Sequence, residues 1–529
     1  MHPGVPPLLL DGESLTLADV VRVARHGHPV ALAPQARAEM ARSLDWVTRA
    51  AAGSLRTPGG APMLVYGVNT GYGSLARLRI SPDRIRALSW NLVRSHAAGV
   101  GPACSVGDVR AMMLLRANAL AKGASGCRPE LVDTLCAMLV AGVTPVVPSR
   151  GSCGSSGDLA PLAHLGLIVF RGDDDTPGVA ELGGERMPGA EAMARVGIEQ
   201  LVPGPKEGLA MTNGAQLTAA ITALACFDAE RLIHTAEIAA ALSWEAQLGV
   251  TRALHPAVHA LRPFPGAVAC AADLRALLEG STLVDSVPDK VQDAYSLRCT
   301  PQVLGAVRDA VTYASRQVAV ELNAVTDNPV ILVDSDHPNK AFSAGLFHGE
   351  PIGFAADHLK LAICELGALA ERRVYRMTTG LLSSRLPLAL PRDDRPDLGL
   401  MMPQTTAAAL VATNRQLAFP ASVDSLPTCE DQEDHVAMST TAARRAAEVV
   451  HNAWRIVAVE LLTAARSVRR RIDRGEGVPG RGAALALEVV GEIEGPPGEA
   501  IEHLAERLSQ GALVVAVTAD VPLAEVCDG

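Results

Sequence analysis

The longest stretch of the sequence without glycine or proline is Thr428–Arg474, TCEDQEDHVAMSTTAARRAAEVVHNAWRIVAVELLTAARSVRRRIDR. An unbroken helix over these 47 residues would be roughly 70 Å long, because each residue of an α-helix adds about 1.5 Å. A second such stretch is Ala215–Leu248, and valines recur at helical spacing at Val303, Val307 and Val311. The sequence therefore predicts a central bundle of long antiparallel helices.

The rest of the chain divides around these long helices. Residues 1–206 are interrupted by Gly/Pro clusters, which predict short helices joined by loops. Residues 207–475 would form the central long-helix bundle, and residues 476–529 a small helical C-terminal tail. Strand patterns are confined to Met63–Tyr66 and Val330–Val333. The predicted fold class is mainly α, with a loop-rich N-terminal domain.

Charge and hydropathy exclude several classes of protein. Lys and Arg number 47 against 57 Asp and Glu, a net charge of −10 that argues against a nucleic-acid binder. The uncharged run Leu209–Phe227 contains Asn213 and Gln216, which favour a buried helix over a membrane span. The basic run Arg469–Arg471 is explained by the preference of cations for a helix C-terminus. We therefore expect no nucleic-acid or membrane partner.

Cysteine usage gives the expected compartment. The ten cysteines are scattered, with no CxxC pair and no Cys/His spacing typical of zinc. We expect free thiols, no metal site and a cytoplasmic protein. Long helices that are apolar on several sides also predict an oligomer.

Four polar, turn-rich segments stand out from Ala/Leu-rich surroundings: Tyr66–Gly73, Gly151–Asp158, Tyr295–Arg298 and Asp424–His435. The two glycine-rich segments match neither the P-loop nor the dinucleotide fingerprint. The serine segment also lacks the G-x-S-x-G of a nucleophile elbow. By their residues alone, such loops are as typical of structural turns as of a site.

The run GSCGSSGDLAPLAH at 151–164 closely resembles the signature of the histidine and phenylalanine ammonia-lyase family. That family forms its electrophile, methylidene-imidazolone (MIO), from three consecutive residues that map onto Ser155, Ser156 and Gly157. Ring closure requires the Gly157 nitrogen to attack the carbonyl of residue 155, and glycine has no Cβ to obstruct it. The Ser156 hydroxyl must leave as water. Ser155, where alanine is usual, contributes mainly backbone.

The resemblance extends along the chain and implies the catalytic residues. Tyr66, in YGVNTGYG, would be the base that removes the substrate's β-proton. Tyr295 and Arg298, in QDAYSLR, would lie near the MIO group and clamp the substrate carboxylate, respectively. Asn213, in MTNGAQ, and Phe347, in GLFHGEP, would lie beside the MIO group. The residue before that phenylalanine is leucine where asparagine is usual, which removes a polar group near the site.

The residues expected to surround the substrate's ring resemble those of the histidine-specific members of the family. His96, in NLVRSHAAG, would contact the substrate's polar ring, together with Met401, Gln432 and Glu433. Asp431 stands where asparagine is usual, and a second carboxylate nearby is expected to raise the pKa of Glu433. The resemblance implies an aromatic amino acid substrate and a homotetramer whose active sites are shared between subunits.

The leading expectation is therefore an ammonia-lyase that converts L-histidine to trans-urocanate with no external cofactor. A tyrosine ammonia-lyase and an MIO-dependent aromatic 2,3-aminomutase remain open, because the aminomutase uses the same electrophile and re-adds the amine. A third alternative is a non-catalytic helical scaffold that lacks the MIO group.

Overall fold

The computed structural model describes residues 5–73, 76–172, 174, 176–392, 398–492 and 495–527. Within these ranges it contains nineteen α-helices: α1 Leu17–His26, α2 Pro34–Ala51, α3 Ile85–His96, α4 Val106–Ala121, α5 Pro129–Ala141, α6 Leu159–Val169, α7 Gly189–Arg195, α8 Glu207–Thr212, α9 Gln216–Ala246, α10 Pro256–Ala260, α11 Pro265–Leu277, α12 Tyr295–Arg298, α13 Thr300–Glu321, α14 Glu350–Thr378, α15 Met401–Leu417, α16 Ser439–Asp473, α17 Arg481–Val490, α18 Pro497–Ser509 and α19 Ala512–Thr518. The mainly α fold predicted from the sequence is confirmed.

Nine short strands pair into small sheets: β1 Leu8–Leu10, β2 Val30–Leu32, β3 Val100–Ala103, β4 Thr144–Pro145, β5 Pro148–Arg150, β6 Val179–Leu182, β7 Glu185–Pro188, β8 Val330–Ile331 and β9 Ala341–Phe342, again among the described residues. Strands β1 and β2 are parallel, with Leu8 opposite Val30. The pairs β3–β5 and β8–β9 and the sheet β4–β6–β7 are antiparallel.

The chain forms two compact units. The first comprises the described residues up to Leu224 with Arg316–Ala356 and Pro420–Arg444. The second comprises Ala225–Ser315, Asp357–Phe419 and the described residues from Arg445 onward. The sequence boundaries at 206 and 475 stay predictions, since both units are assembled from separated segments.

Helix α4 is the centre of the first unit, because every residue from Val109 to Ala121 is buried. A second apolar cluster in this unit joins Trp46 and Val47 of α2 to Val65, Val68 and other buried side chains of the following loop. Buried apolar surface contributes roughly 25 cal/mol per Å². The cluster therefore anchors both sides of Tyr66 in the first unit.

Buried ion pairs connect the long helices of the second unit. The Arg373 guanidinium of α14 pairs with the Glu460 carboxylate of α16, which also accepts a hydrogen bond from Ser243 of α9 at 2.7 Å. Arg308 of α13 pairs with Glu237 of α9 at 2.8 Å. Buried charges require such partners, so these side chains fix how the helices pack.

Three sequence expectations need correction. Leu209–Phe227 is not one helix, because α8 ends at Thr212 and α9 begins at Gln216. In Thr428–Arg474 only the part from Ser439 is helical, and the residues before it form a loop. Met63–Tyr66 is not a strand, because the Asn69 side chain bonds Val65 N and Met63 O and holds the segment in a turn.

The expected strand at Val330–Val333 is present in shorter form, as β8. Arg470 and Arg471 lie in the last turn of α16, where the sequence analysis expected cations. Arg469 and Arg471 also donate to the backbone carbonyls of Gly491 and Ala246, each at 2.7 Å. Among the described residues, no helix combines the length and apolar character needed to cross a bilayer.

Candidate active site

A cavity of about 670 Å³ in the first unit brings together most of the candidate residues. This volume suits a small-molecule ligand. The predicted residues that line it come from six separated segments: Tyr66, His96, Ser155, Ser156, Asn213, Phe347, Gln432 and Glu433.

The loop that carries the tripeptide Ser155–Gly157 has backbone conformations that only glycine adopts readily. Gly154 and Gly157 have φ values of 68° and 75°. A Cβ on Gly157 would lie 2.2 Å from the carbonyl carbon of Gly214, and one on Gly154 would lie 2.0 Å from Ser439 Oγ. Both glycines are therefore required by close packing as well as by φ.

The end of this loop is anchored by Asp158, which is fully buried. Its carboxylate accepts hydrogen bonds from Thr218 N at 2.8 Å, Thr440 Oγ1 at 2.6 Å and Ser152 Oγ at 2.8 Å. Burial raises the pKa of Asp158, and these donors oppose that effect. Asp158 was not among the predicted site residues, although it lies inside the run 151–164.

Glu433 binds the two serines of the tripeptide. Ser155 Oγ donates to Glu433 Oε2 at 3.0 Å, and Ser156 Oγ donates to Glu433 Oε1. Thr428 Oγ1 donates to Oε2 at 2.5 Å. In the uncyclised tripeptide, the carboxylate predicted to face the substrate ring is thus hydrogen-bonded to the Ser156 hydroxyl.

The pKa of Glu433 departs from the sequence expectation. Partial burial acts to raise this pKa, but the hydroxyl donors Ser156, Thr428 and Ser155 outweigh it and hold the pKa below its ordinary value. The expectation that Asp431 raises the pKa of Glu433 is therefore wrong. A carboxylate that accepts several hydrogen bonds is stabilised in its charged form.

The loop before Glu433 is conformationally strained. Cys429, Glu430 and Asp431 have φ values of 51°, 56° and 60°, in the left-handed region. That region costs a non-glycine residue about 1–2 kcal/mol. Thr428 N donates to Glu433 O at 2.9 Å and closes the turn. Such strained backbone is common at functional sites. Here the closed turn sets the backbone position from which the Glu433 side chain extends.

The tyrosine loop is held rigidly next to the cavity. The Asn69 side chain accepts a hydrogen bond from Val65 N at 2.8 Å and donates to Ala50 O at 3.0 Å. The Tyr66 hydroxyl accepts a hydrogen bond from Gly73 N at 3.1 Å. Its ring meets that of Tyr72 edge to face, with centroids 6.3 Å apart.

His96 is the last residue of α3 and lies near the negative charge of Glu433. Burial lowers the pKa of His96, and the charge of Glu433 opposes the shift. Ser95 Oγ lies 3.0 Å from His96 Nδ1. The neutral ring is therefore favoured at neutral pH.

Asn213 lies in the break between α8 and α9 rather than within a helix. Its side chain donates to Asn328 O at 3.2 Å, and its carbonyl accepts from the fully buried Arg116 at 2.8 Å. Arg116 also donates to Gln216 Oε1 at 2.8 Å. These bonds fix the backbone on which Gly157 packs.

Several lining residues were not assigned a role by the sequence analysis: Tyr72, Leu209, Asn328, His348, Cys429, Asp434 and His435. The rings of His348 and His435 stack with centroids 5.8 Å apart. Both histidines lie within quoted motifs, next to Phe347 and two residues after Glu433. Their positions next to those motifs could have identified them as lining residues from the sequence.

Three predicted residues belong to the second unit and do not line this cavity: Tyr295, Arg298 and Met401. The Arg298 guanidinium stacks on the Tyr295 ring at 4.7 Å, and its Nε donates to Asp293 O at 2.9 Å. Tyr295 is 71% exposed and Met401 is 47% exposed.

The tripeptide fits the group that the resemblance implies. The backbone at Gly157 leaves no room for a Cβ, and Ser156 carries a β-hydroxyl with a carboxylate partner. The described residues contain no His, Cys, Asp or Glu cluster able to hold a metal ion. The arrangement places the Tyr66 phenol and the polar side chains of His96 and Glu433 around the same cavity as the tripeptide.

Comparison with known proteins places this geometry in context. The sequence profile of the family described as aromatic amino acid lyase matches residues 15–490. The chain is 45% identical over 520 residues to a histidine ammonia-lyase of Gloeobacter violaceus, covering 97% of this chain and 98% of that one.

Solved structures are similar over nearly the whole chain. The tyrosine aminomutase of Streptomyces globisporus has a TM-score of 0.88 at 34% identity, covering 98% of this chain and 100% of the other. The histidine ammonia-lyase of Trypanosoma cruzi has a TM-score of 0.87 at 33% identity, covering 98% and 96%. The backbone alone does not distinguish a lyase from an aminomutase.

Proposed function

The chain belongs to the aromatic amino acid lyase family and is a carbon–nitrogen lyase, and we propose that it converts L-histidine to trans-urocanate and ammonia. One observation carries the choice of substrate. His96 and Glu433 line the same cavity as Tyr66 and the Ser155–Gly157 tripeptide, so polar groups are available for an imidazole ring.

The cofactor in this proposal is the MIO group formed from Ser155, Ser156 and Gly157. When present, this electrophile takes up the substrate's amino group and makes it a better leaving group. The side chains Asp158 and Asn213 hold the two backbone segments that meet at Gly157. They keep the reactive loop in place while the substrate binds.

Proton removal is assigned to Tyr66. Its hydroxyl oxygen accepts a hydrogen bond from Gly73 N at 3.1 Å, which stabilises negative charge on that oxygen. The buried residues on both sides of Tyr66 limit its movement. The phenol is thereby positioned to take the substrate's β-proton.

Ring recognition is assigned to His96, Gln432 and Glu433. The hydroxyls of Thr428 and Ser155, which remain after the Ser156 hydroxyl is lost, favour the ionised carboxylate of Glu433, so it can accept an imidazole N–H. Phe347 supplies an apolar contact on the same cavity. Met401 would add a ring contact from a partner subunit.

The substrate carboxylate is assigned to Arg298, with Tyr295 beside it, and both would come from a partner subunit. Tyr295 and Met401 are exposed and are therefore accessible to a neighbouring subunit. These facts support the homotetramer with shared active sites that the family resemblance implies.

A tyrosine-specific lyase or a 2,3-aminomutase is the second candidate. The similarity to the tyrosine aminomutase structure, with a TM-score of 0.88, favours keeping it. A polar ring pocket would also accept a phenol. The non-catalytic scaffold requires an unmodified Ser155–Gly157 tripeptide.

One assay separates these candidates. Histidine, tyrosine and phenylalanine are incubated separately with the full-length protein, and free ammonia, the unsaturated acid and the β-amino acid are quantified. The proposal predicts ammonia and urocanate from histidine in equal amounts. A β-amino acid as the main product, or a clear preference for tyrosine, would replace it.

A further inference from the structure

The two serine hydroxyls of the tripeptide each donate a hydrogen bond to a different oxygen of the Glu433 carboxylate. Ser156 Oγ donates to Oε1, while Ser155 Oγ and Thr428 Oγ1 donate to Oε2 at 3.0 and 2.5 Å. We infer that Glu433 catalyses the dehydration of Ser156 that matures the active site, before it serves any substrate. This inference rests on the proposed function, because only an MIO-forming chain dehydrates Ser156.

The position of Glu433 suits a proton carrier. Its Oε1 is hydrogen-bonded to the Oγ that must leave, and the Ser156 α-carbon is two covalent bonds from that oxygen. Its hydroxyl donors hold the pKa of Glu433 below the ordinary value, so the group is a carboxylate at neutral pH. A carboxylate at this place can take a proton from one atom and return it to the next.

Two waters leave the tripeptide. In cyclisation the Gly157 nitrogen bonds to the Ser155 carbonyl carbon, and the carbonyl oxygen leaves as water with the amide protons of Gly157 and Ser156. In dehydration Glu433 takes the Ser156 α-proton, the Cα–Cβ double bond forms and the Cβ–Oγ bond breaks. Glu433 then gives its proton to the departing oxygen, which leaves as the second water. No other reagent is consumed.

The other nearby carboxylate, Asp158, is less suited to this role. Its oxygens already accept hydrogen bonds from Thr218, Thr440 and Ser152. Burial raises the pKa of Asp158, and these hydrogen bonds oppose that effect. It therefore anchors the loop, and Glu433 is the carboxylate with a hydrogen bond to Ser156.

Maturation also changes what Glu433 is free to bind. The Ser156 hydroxyl disappears, which leaves Oε1 open to the substrate ring. The hydroxyls of Ser155 and Thr428 remain and keep Oε2 in place. Serine at position 155, where alanine is usual, thus has a positioning role toward Glu433.

The test measures mass rather than activity. The full chain is synthesised in a cell-free system, digested with trypsin at set times, and the peptide Gly151–Arg171 is weighed. The wild-type peptide should lose two waters. Glu433→Gln should lose the second water about a hundredfold more slowly, the lower range of general acid–base catalysis.

Asp431→Asn is the matched control, because it removes a carboxylate from the same loop and should mature at the wild-type rate. Loss of both waters by Glu433→Gln at the wild-type rate would overturn the inference.

A Glu433→Gln protein that elutes differently from the wild type on gel filtration is not folded in the same way. The double variant Ser155→Ala/Thr428→Val then provides the test, because it keeps the carboxylate but removes two hydroxyls that hold it. This double variant should mature several-fold more slowly, and an unchanged rate would equally overturn the inference. A wild-type peptide of full mass would instead refute the proposed function itself.

Discussion

Gly157 packs directly on the backbone of Gly214: Asp158 N donates to Gly214 O at 2.7 Å, and a Cβ on Gly157 would lie 2.2 Å from the Gly214 carbonyl carbon. The two glycines come from segments on either side of α6 and form an isolated parallel bridge. This contact leaves no space between the tripeptide and the α8–α9 break.

Replacing Gly157 by alanine should be much more harmful than the same change at Gly183. Gly183 also has a positive φ, 61°, but has no atom within 4 Å of its would-be Cβ. Gly183→Ala should cost about 1–2 kcal/mol of unfolding free energy for its conformation alone. Gly157→Ala adds an overlap that costs roughly 1–3 kcal/mol more. Thermal denaturation of both variants measures the difference, and equal losses would contradict the close contact.

Ser156→Ala should restore the full mass of the peptide that contains residues 155–157 and abolish turnover. No β-hydroxyl then remains to leave as water. Ser155→Ala should still lose two waters, because Ser155 contributes backbone to the ring and Thr428 still holds Glu433. Mass spectrometry of the digested proteins checks both statements. A normal water loss in Ser156→Ala would exclude Ser156 as the source of the methylidene.

The long helices were predictable because their signal is local. Breaker-free stretches and helical spacing located α9, α13 and most of α16. Asp424–His435 was recognisable as turn-rich, but the left-handed conformation of Cys429–Asp431 was not, because these residues are neither glycine nor proline and tertiary contacts impose it. The break at Asn213 did carry a signal, the following Gly214, but an apolar run concealed it.

The composition of the site was predictable only through the family resemblance. Ser156 and Glu433 are 277 positions apart, and no spacing rule brings them together. The assignment of Arg298 and the cavity residues to two different units could not be derived from residue patterns either. The resemblance of the run 151–164 identified the reactive tripeptide, whereas its contacts depend on packing.

Co-expression of Tyr66→Phe with Arg298→Ala should recover activity that neither variant has alone. Tyr66→Phe removes the proton acceptor, so kcat should collapse with the MIO group intact. Arg298→Ala removes the carboxylate clamp and should weaken every amino acid substrate alike. If each site takes the two residues from different subunits, random mixing restores up to about a quarter of the sites.

The ammonia-release rate of the mixed assembly, purified with two different tags, measures this recovery. Each variant mixed with itself is the control. Absence of recovery in a verified mixed assembly would mean that both residues act within one subunit. A changed preference among side chains in Arg298→Ala would show that Arg298 does not bind the shared carboxylate.

His96 should titrate below 6.5, because burial disfavours its charged form and so lowers its pKa. The negative charge of Glu433 opposes this shift, so Glu433→Gln should lower the pKa of His96 further. NMR of protein labelled with ¹³C-histidine follows the titration, and the signal lost in His96→Gln identifies the residue. A midpoint above 6.5, or one raised in Glu433→Gln, would contradict the described environment.

Histidine should be preferred to phenylalanine by a wide margin, because the ring end of the cavity contains the polar groups of His96 and Glu433. An apolar ring leaves those half-buried groups without partners, and an unpaired group costs up to about 1–3 kcal/mol when it is fully buried. Tyrosine, which can form a hydrogen bond through its phenol, should be the stronger competitor. The measured quantity is the ratio of kcat/KM values for the three amino acids.

His96→Leu tests which residue produces this preference, since it replaces a polar ring by an apolar side chain without touching the tripeptide. The histidine-to-phenylalanine ratio should fall roughly tenfold or more, which corresponds to about 1.4 kcal/mol. Asp434→Asn, a change on the same cavity at an exposed carboxylate, is the control and should leave the ratio nearly unchanged. Comparable turnover of phenylalanine and histidine by the wild type would refute histidine as the substrate, while the tyrosine base and the tripeptide chemistry would still stand.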